Sequence, residues 1–390
     1  MTPSLDDATR ILSTLVAFDT VSHKSNRALI DWVADHLDGH GVAVATLPSA
    51  DGRKANIVAS IAPGRLEPRG GIMLSGHTDV VPVDGQDWQT DPFRLTPKDG
   101  RLYGRGACDM KGYIACVLAM VPALRDAPLT RPIHLAFSYD EETGCFGARE
   151  IVSHIAASEL RPAMAFVGEP TSMRVVNAHK GSCGMRTKVT GHACHSSRPD
   201  QGVNAIYGAM EVIDTLRAQA QALAEAPDSV GLFEPPHTTL NVGLIQGGSA
   251  RNTVAGDCTL TWDIRATREG MVGQVRDALA AAVDDRILPA MRARQAAADI
   301  ATETLFEIPP LLPQPNSAAE ALARSLAGGE AVSAAFGSEA GLFQRAGIPT
   351  VLCGPGDIAQ AHAPDEWVAE DQLAACLSFL EKLVAHECAA

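Results

Sequence analysis

GIMLSGHTDVVPV, residues 71–83, sets a short apolar run directly against a histidine and, two positions later, an aspartate. The run reads as a buried strand. In an extended chain, residues two apart point the same way. His77 and Asp79 therefore leave the strand's end aimed together, either at one target or at each other.

Further strands are expected at 55–61, 133–139 and 163–168, with helices at 5–17, 26–39, 110–125 and about 146–157. Ser4 and Asp7 have the spacing of a capping box, and Ile11, Leu12, Leu15 and Val16 form one helical stripe. Alternating strands and helices argue for an α/β sheet covered by helices on both faces. From Gly181 the texture changes to half-exposed strands at 184–191, 237–245, 253–265 and 300–308, with helical periodicity at 202–225 and 269–294. That β-α-β-β-α-β order matches a ferredoxin-like insert. After the proline-rich PPLLPQP (309–315), α/β character returns with a helix at 317–327, a strand at 349–353 and a helix from Asp371 to about His386. The expected organisation is one α/β domain, 1–180 and 310–390, split by an inserted α+β domain, 181–309.

A chain of 390 residues suits two hydrophobic cores better than one. A formal net charge of −14 repels phosphate backbones, which argues against nucleic acid as a partner. No apolar run is long enough to cross a bilayer, and the first residues lack a basic segment before an apolar core. Nine cysteines without a CxxC pair fit neither a disulfide framework nor a zinc ribbon. Together these imply a reduced, cytoplasmic protein.

Ionisable residues follow the expected strands of the α/β part. His77 and Asp79 follow the first quoted run; Asp140, Glu141 and Glu142 follow IHLAFSY; Glu169 follows AMAFVG; and His362 lies in GPGDIAQAHAPDEW after PTVLC. Asp109, in GRGACDMKG, opens the helix at 110–125. Ligands of open α/β sheets sit beyond the carboxyl ends of the strands, where these residues converge. Two imidazoles with three carboxylates are too acidic a set for one open tetrahedral zinc. They suit two divalent ions that share a carboxylate. Asp79 is expected to accept the second ring N–H of His77. Of Glu141 and Glu142, which diverge as chain neighbours, one is expected to ligate and the other to act as general base. GRGACDMKG also suggests a dinucleotide turn, but an aspartate stands where the third glycine belongs, and neither a GxSxG elbow nor a P-loop occurs.

SGHTDVVPV, RGACDMKG, SYDEETG, GEPT and GPGDIAQAHAPDEW, in this order, resemble the acetylornithine deacetylase and succinyl-diaminopimelate desuccinylase family of di-zinc amidohydrolases. The resemblance covers nearly the whole chain. DTVSHKSNRALIDWV, EPTSMRVVNAHKG and QAHAPDEW favour the acetylornithine deacetylase branch. It implies a zinc-peptidase-like catalytic domain with a central mixed sheet and a dimerising lid. It also implies two divalent ions per subunit, zinc first, with cobalt or manganese also fitting. One ion falls to His77, Asp109 and Glu169, the other to Asp109, Glu142 and His362, with Asp109 bridging. Glu141 becomes the base and Asp79 the partner of His77. A cis peptide is implied after Asp109. In GHACHSSRPDQGVNA, His195 is the matching residue that a lid offers to the neighbouring subunit's site, as an oxyanion donor. Asn252 and Arg265 match positions that grip substrate, Arg265 through an α-carboxylate. Lys180 is expected to assist, and Glu339 to meet a cationic side-chain end. The implied protein is a homodimer that hydrolyses N-acetyl-L-ornithine, in arginine biosynthesis. Within enzymes the alternatives are a desuccinylase, an aminoacylase or a dipeptidase acting on another N-acyl amino acid. Outside enzymes, the alternative is a metal-dependent binding protein, against which an intact Glu141 argues.

Overall fold

The computed structural model describes residues 3–62, 69–227 and 231–389. The chain forms two compact units. Unit 1 takes the chain up to Ala178, Leu311–Ser333 and everything from Ser338; unit 2 takes His179–Pro310 and Ala334–Gly337. That second, short segment of unit 2 lies well outside the insert expected from sequence.

Unit 1 begins with α1 (Leu5–Val16) and α2 (Arg27–Gly39). Ser4 caps α1 through a reciprocal pair with Asp7, and Ile11, Leu12, Leu15 and Val16 are all buried. There follow β1 (Val44–Pro48), β2 (Ala55–Ile61), β3 (Ile72–His77), β4 (Thr96–Lys98), β5 (Arg101–Tyr103), α3 (Lys111–Asp126), β6 (Ile133–Ser138), α4 (Phe146–Ala157), β7 (Met164–Val167) and β8 (Val176–His179). Unit 2 contributes β9 (Gly181–Thr190), α5 (Ala205–Glu225), β10 (Thr239–Gly247), β11 (Asp257–Ala266), α6 (Met271–Ala282), α7 (Leu288–Arg292) and β12 (Asp299–Ile308). The chain closes with α8 (Ala318–Ala327), β13 (Val332–Ala334), α9 (Ala340–Arg345), β14 (Thr350–Leu352), β15 (Trp367–Ala369) and α10 (Glu370–Ala389).

The main sheet of unit 1 runs β1-β2-β6-β3-β7-β14-β8-β13 and is mixed. Its centre is parallel: β3 pairs with β6 and β7 in parallel, and β7 with β14. The carboxyl ends of β3, β6, β7 and β14 therefore share one edge. β1 and β2 add an antiparallel flank. β1 escapes the sequence pattern because its burial does not alternate cleanly.

Helix α3 is buried on nearly every side, so it shows no single apolar face. Pro122 lies inside it. A proline cannot donate to the carbonyl four residues back, and that carbonyl, Leu118 O, instead meets His36 Nε2 of α2 at 3.3 Å. The break in one helix thus becomes a tie to another.

Unit 2 is a four-stranded antiparallel sheet, ordered β10-β11-β9-β12, with α5, α6 and α7. This is the ferredoxin-like order. The helix expected over 269–294 is broken by a π turn at Val283–Ile287 ahead of Pro289. The turn removes the clash that Pro289 would make with a regular helix's preceding carbonyl.

Gly168, between β7 and Glu169, is required by a close approach: a Cβ there would lie 2.0 Å from the ring of the buried Tyr113. Gly168→Ala is expected to cost about 2–3 kcal/mol in urea unfolding, as overpacking does. Gly273→Ala, in α6 where a Cβ meets nothing within 4 Å, is expected to be neutral or to stabilise by up to about 1 kcal/mol. Equal stability of the two variants would contradict this account.

Candidate active site

β3 carries His77 to the shared edge, and the ring settles between two oxygens. Nδ1 donates to the main-chain carbonyl of Asp79 at 3.0 Å, and Nε2 meets Asp109 Oδ1 at 2.9 Å. Here the structure corrects the expectation for Asp79. Its carboxylate is 3.7 Å from Nδ1, and its closer partners are Ser22 Oγ at 2.7 Å, Glu141 N at 3.0 Å and Glu142 N at 3.3 Å. Two residues on, the main-chain carbonyl reaches the ring first, which frees the carboxylate to hold the loop that follows β6. The effect on His77 is the same: its tautomer is fixed with Nε2 free for a partner.

Asp109 does not cap α3; Met110 occupies the N-cap position without a side-chain bond, and the Asp109–Met110 peptide is cis. The carboxylate instead lies between two imidazoles, with Oδ2 3.2 Å from His362 Nε2. His362 also meets Glu142 at 3.2 Å. Two groups result, each with ligand atoms within 4.8 Å of one another: His77, Asp109 and Glu169, and Asp109, Glu142 and His362. Asp109 belongs to both. Glu169 Oε1 is buried with no hydrogen-bond partner. A buried carboxylate oxygen left in that state is costly unless something cationic faces it, so the donor set fits a pair of divalent ions.

The electrostatics agree. Burial pushes the Glu141 carboxyl up to about 8, the charges of Glu142, Asp109 and Asp79 adding to it against the pull of His77. Burial, then Asp109, takes Glu142 to about 7, and the same causes with Glu141 carry Glu169 well above the carboxylate range. Asp109 alone goes down, because its bonds to His362 and His77 outweigh burial. Those bonds to Asp109 and Glu142 take His362 up to about 10.

Two charged residues at the site were missed in the sequence. Glu366 and Arg105, each 1% exposed, pair at 2.7 Å. The other Glu366 oxygen accepts the amides of Cys108 and Asp109 at 2.9 and 3.0 Å. Arg105 also reaches Gln86, whose amide donates to the carbonyl of His362 at 2.9 Å. The pair therefore holds both the turn bearing Asp109 and the loop bearing His362. The only sequence signal was a charge in each of two motif loops.

Glu339 is a correction. It is fully buried, and its carboxylate accepts Ser75 Oγ and Ser138 Oγ, each at 2.6 Å. It ties the start of α9 to the ends of β3 and β6, and does not offer a free carboxylate to a cationic substrate. In unit 2, Lys180 is buried and donates to the carbonyls of Pro235 and His237 at 2.7 and 2.9 Å. Arg265 is exposed and pairs with Asp263 at 2.9 Å. His195 and Asn252 lie on adjacent strands of loop: Ser196 N donates to Asn252 O at 3.0 Å, and His195 bridges Thr253. His195 Nδ1 faces Ser197 Oγ at 2.7 Å. Cys194 closes the same turn through Arg198 O at 3.2 Å.

The family model for peptidase family M20/M25/M40 matches residues 73–386. The acetylornithine deacetylase of Pasteurella multocida (strain Pm70) is 34% identical over 387 residues, 97% of each chain. That of Myxococcus xanthus is 36% identical over 395 residues, covering 100% of this chain and 99% of its own. Among solved structures, the M20 family metallo-carboxypeptidase Sso-CP2 of Sulfolobus solfataricus superposes with a TM-score of 0.78 at 18% identity, over 99% of this chain and 100% of that one. The last likeness is one of fold.

The raised groups hold protons at pH 7 in the metal-free protein, and a ligated cation must displace them. Zinc binding at pH 7 is thus expected to release on the order of one to three protons per chain, with apparent affinity rising with pH. Titration calorimetry in buffers of different ionisation heat checks this; a heat independent of buffer would contradict it.

Proposed function

The chain belongs to peptidase family M20/M25/M40, and we propose that within this family of amide-bond hydrolases it deacetylates N2-acetyl-L-ornithine, giving L-ornithine and acetate for arginine biosynthesis. The single observation that carries the chemistry is the carboxylate of Asp109 shared by two ligand groups, with Glu141 beside them. The full-length relatives support the choice of acyl group and amino acid.

His77, Asp109 and Glu169 would hold one divalent cation, and Asp109, Glu142 and His362 the other. A pair bound there would polarise the acyl oxygen and acidify water, with zinc the first choice and cobalt or manganese also suited. The protein's own groups do the rest. Asp79, bonded to Glu141 N and Glu142 N, keeps the two carboxylates diverging, so that one ligates while the other faces substrate. Glu141, buried and raised by the acids around it while no cation is bound, would be freed of its proton by cations held beside it, and would then take a proton from water and pass it to the departing amine. His195 of the partner subunit would donate to the developing oxyanion. Asn252 and Arg265 would bind the substrate, Arg265 exchanging Asp263 for an α-carboxylate.

A homodimer is part of this reading. β10 is an edge strand of the unit 2 sheet and exposes Leu244 and Ile245, and α5 beside it exposes Tyr207 and Met210. An uncharged apolar edge of this kind invites a second copy. The absence of a membrane-long apolar helix among the described residues and nine free thiols suit a cytoplasmic setting.

Turnover of acetylornithine, succinyl-diaminopimelate, other N-acyl amino acids and dipeptides, with defined metals, tests the substrate. Acetylornithine is expected to lead in kcat/KM; preference for a succinyl amide or a dipeptide would move the chain to another branch. Glu141→Gln is expected to keep both metals yet lose on the order of 10²–10⁴ in kcat, and near-normal turnover would remove Glu141 from the base role. Leu244→Asp with Ile245→Asp is expected to give monomers in sedimentation, whereas an unchanged dimer would place the interface elsewhere.

A further inference from the structure

Cys145 touches the side chain of Glu141. The turn after β6 folds back so that Gly144 N and Cys145 N both donate to Glu141 O, at 3.0 and 3.1 Å. Cys145 then takes a left-handed conformation, φ 55° and ψ 40°, as the residue ahead of α4. Side chains other than glycine, asparagine or aspartate rarely adopt that region. Its Sγ lies 3.3 Å from Glu141 Oε1. Cys145 is fully buried, which leaves no water to replace the thiol. Burial first, and the charge of Glu141 next, push the thiol well above its usual range, so it remains an S–H donor.

We propose that Cys145 is a positioning residue for Glu141: its thiol hydrogen bonds Oε1, fixes the carboxylate's rotamer, and leaves Oε2 to carry the proton. This rests on Glu141 as the base. The main chain of Glu141 is held from the other side by Asp79, at 3.0 Å. The loop is thereby held at two points, its backbone by a carboxylate and its tip by a thiol. Other buried thiols are placed differently: Cys116 and Cys353 donate to main-chain carbonyls, at 3.7 and 3.5 Å, and Cys108 faces the carbonyl of Asp357 at 3.4 Å and the side-chain amide oxygen of Gln360 at 3.5 Å.

Two replacements separate donor from bulk. Both Cys145→Ala and Cys145→Ser keep the same burden on the left-handed backbone, but only serine keeps a donor. With metals loaded, Cys145→Ala is expected to lower kcat about three- to tenfold, the worth of one hydrogen bond, with KM within about twofold. Cys145→Ser is expected to recover most of that loss. Unchanged kcat in the alanine variant, or equal losses in both, would overturn the proposal. A second measurement needs no replacement of Cys145 and no turnover. The S–H stretching bands of the wild-type protein are compared by infrared spectroscopy with those of Glu141→Gln. In the zinc-loaded proteins one band is expected to move to higher frequency as the carboxylate acceptor becomes a neutral amide, and no movement would overturn the proposal. If the wild type cleaves no amide in the panel while that band still moves, the bond stands and it is the reading of Glu141 as a base that fails.

Discussion

One buried carboxylate, set between two imidazoles, is the constraint on which the rest of unit 1 depends. Asp109 Oδ1 faces His77 and Oδ2 faces His362, within an enclosure that also holds Glu141, Glu142 and Glu169. Four acids with two histidines cannot all ionise there without added positive charge. The fold accepts that cost because its parallel strands end at one edge and deliver these groups together. The turn holding Asp109 is itself fastened by Glu366, whose partner Arg105 is as deeply buried as it is. An ion pair of this kind is weak as a source of stability and strong as a source of geometry. It joins the two loops that must agree for Asp109 to face both histidines.

Asp79 shows how one residue serves two elements. Its carbonyl orients the ring of His77, and its carboxylate receives Ser22 and the amides of Glu141 and Glu142. The strand that brings the histidine thus also sets the loop that brings both glutamates. Lys54 adds to this loop by pairing with Asp140 and reaching the carbonyl of Ser22. Glu339 secures the ends of β3 and β6 from within.

Local pattern carried much of this into view. The apolar run before His77, the capping box at Ser4 and the β-α-β-β-α-β order all have short-range signatures, and each corresponds to an observed element. The convergence of His77, Asp109, Glu142, Glu169 and His362 was legible because strand ends of a parallel sheet gather at one edge. What stayed hidden is long-range. Arg105 and Glu366 are 261 residues apart, and Glu339 and Ser75 are 264 apart, so neither pairing leaves a local trace. Glu339 read as a free acid because nothing in its neighbourhood reveals burial. Asp79 misled for a subtler reason: two acceptors of one residue competed for the same ring nitrogen, and distance along the backbone decided in favour of the carbonyl. Pro289 was visible inside the helix expected over 269–294, but the sequence does not say that the chain would absorb it with a π turn at Val283–Ile287.

Crystals grown with zinc and measured at its absorption edge test the central claim most directly. The account predicts two anomalous peaks per chain, one on each side of Asp109, the first among His77 and Glu169 and the second among Glu142 and His362. A single peak, or peaks that leave Asp109 without a shared role, would contradict it.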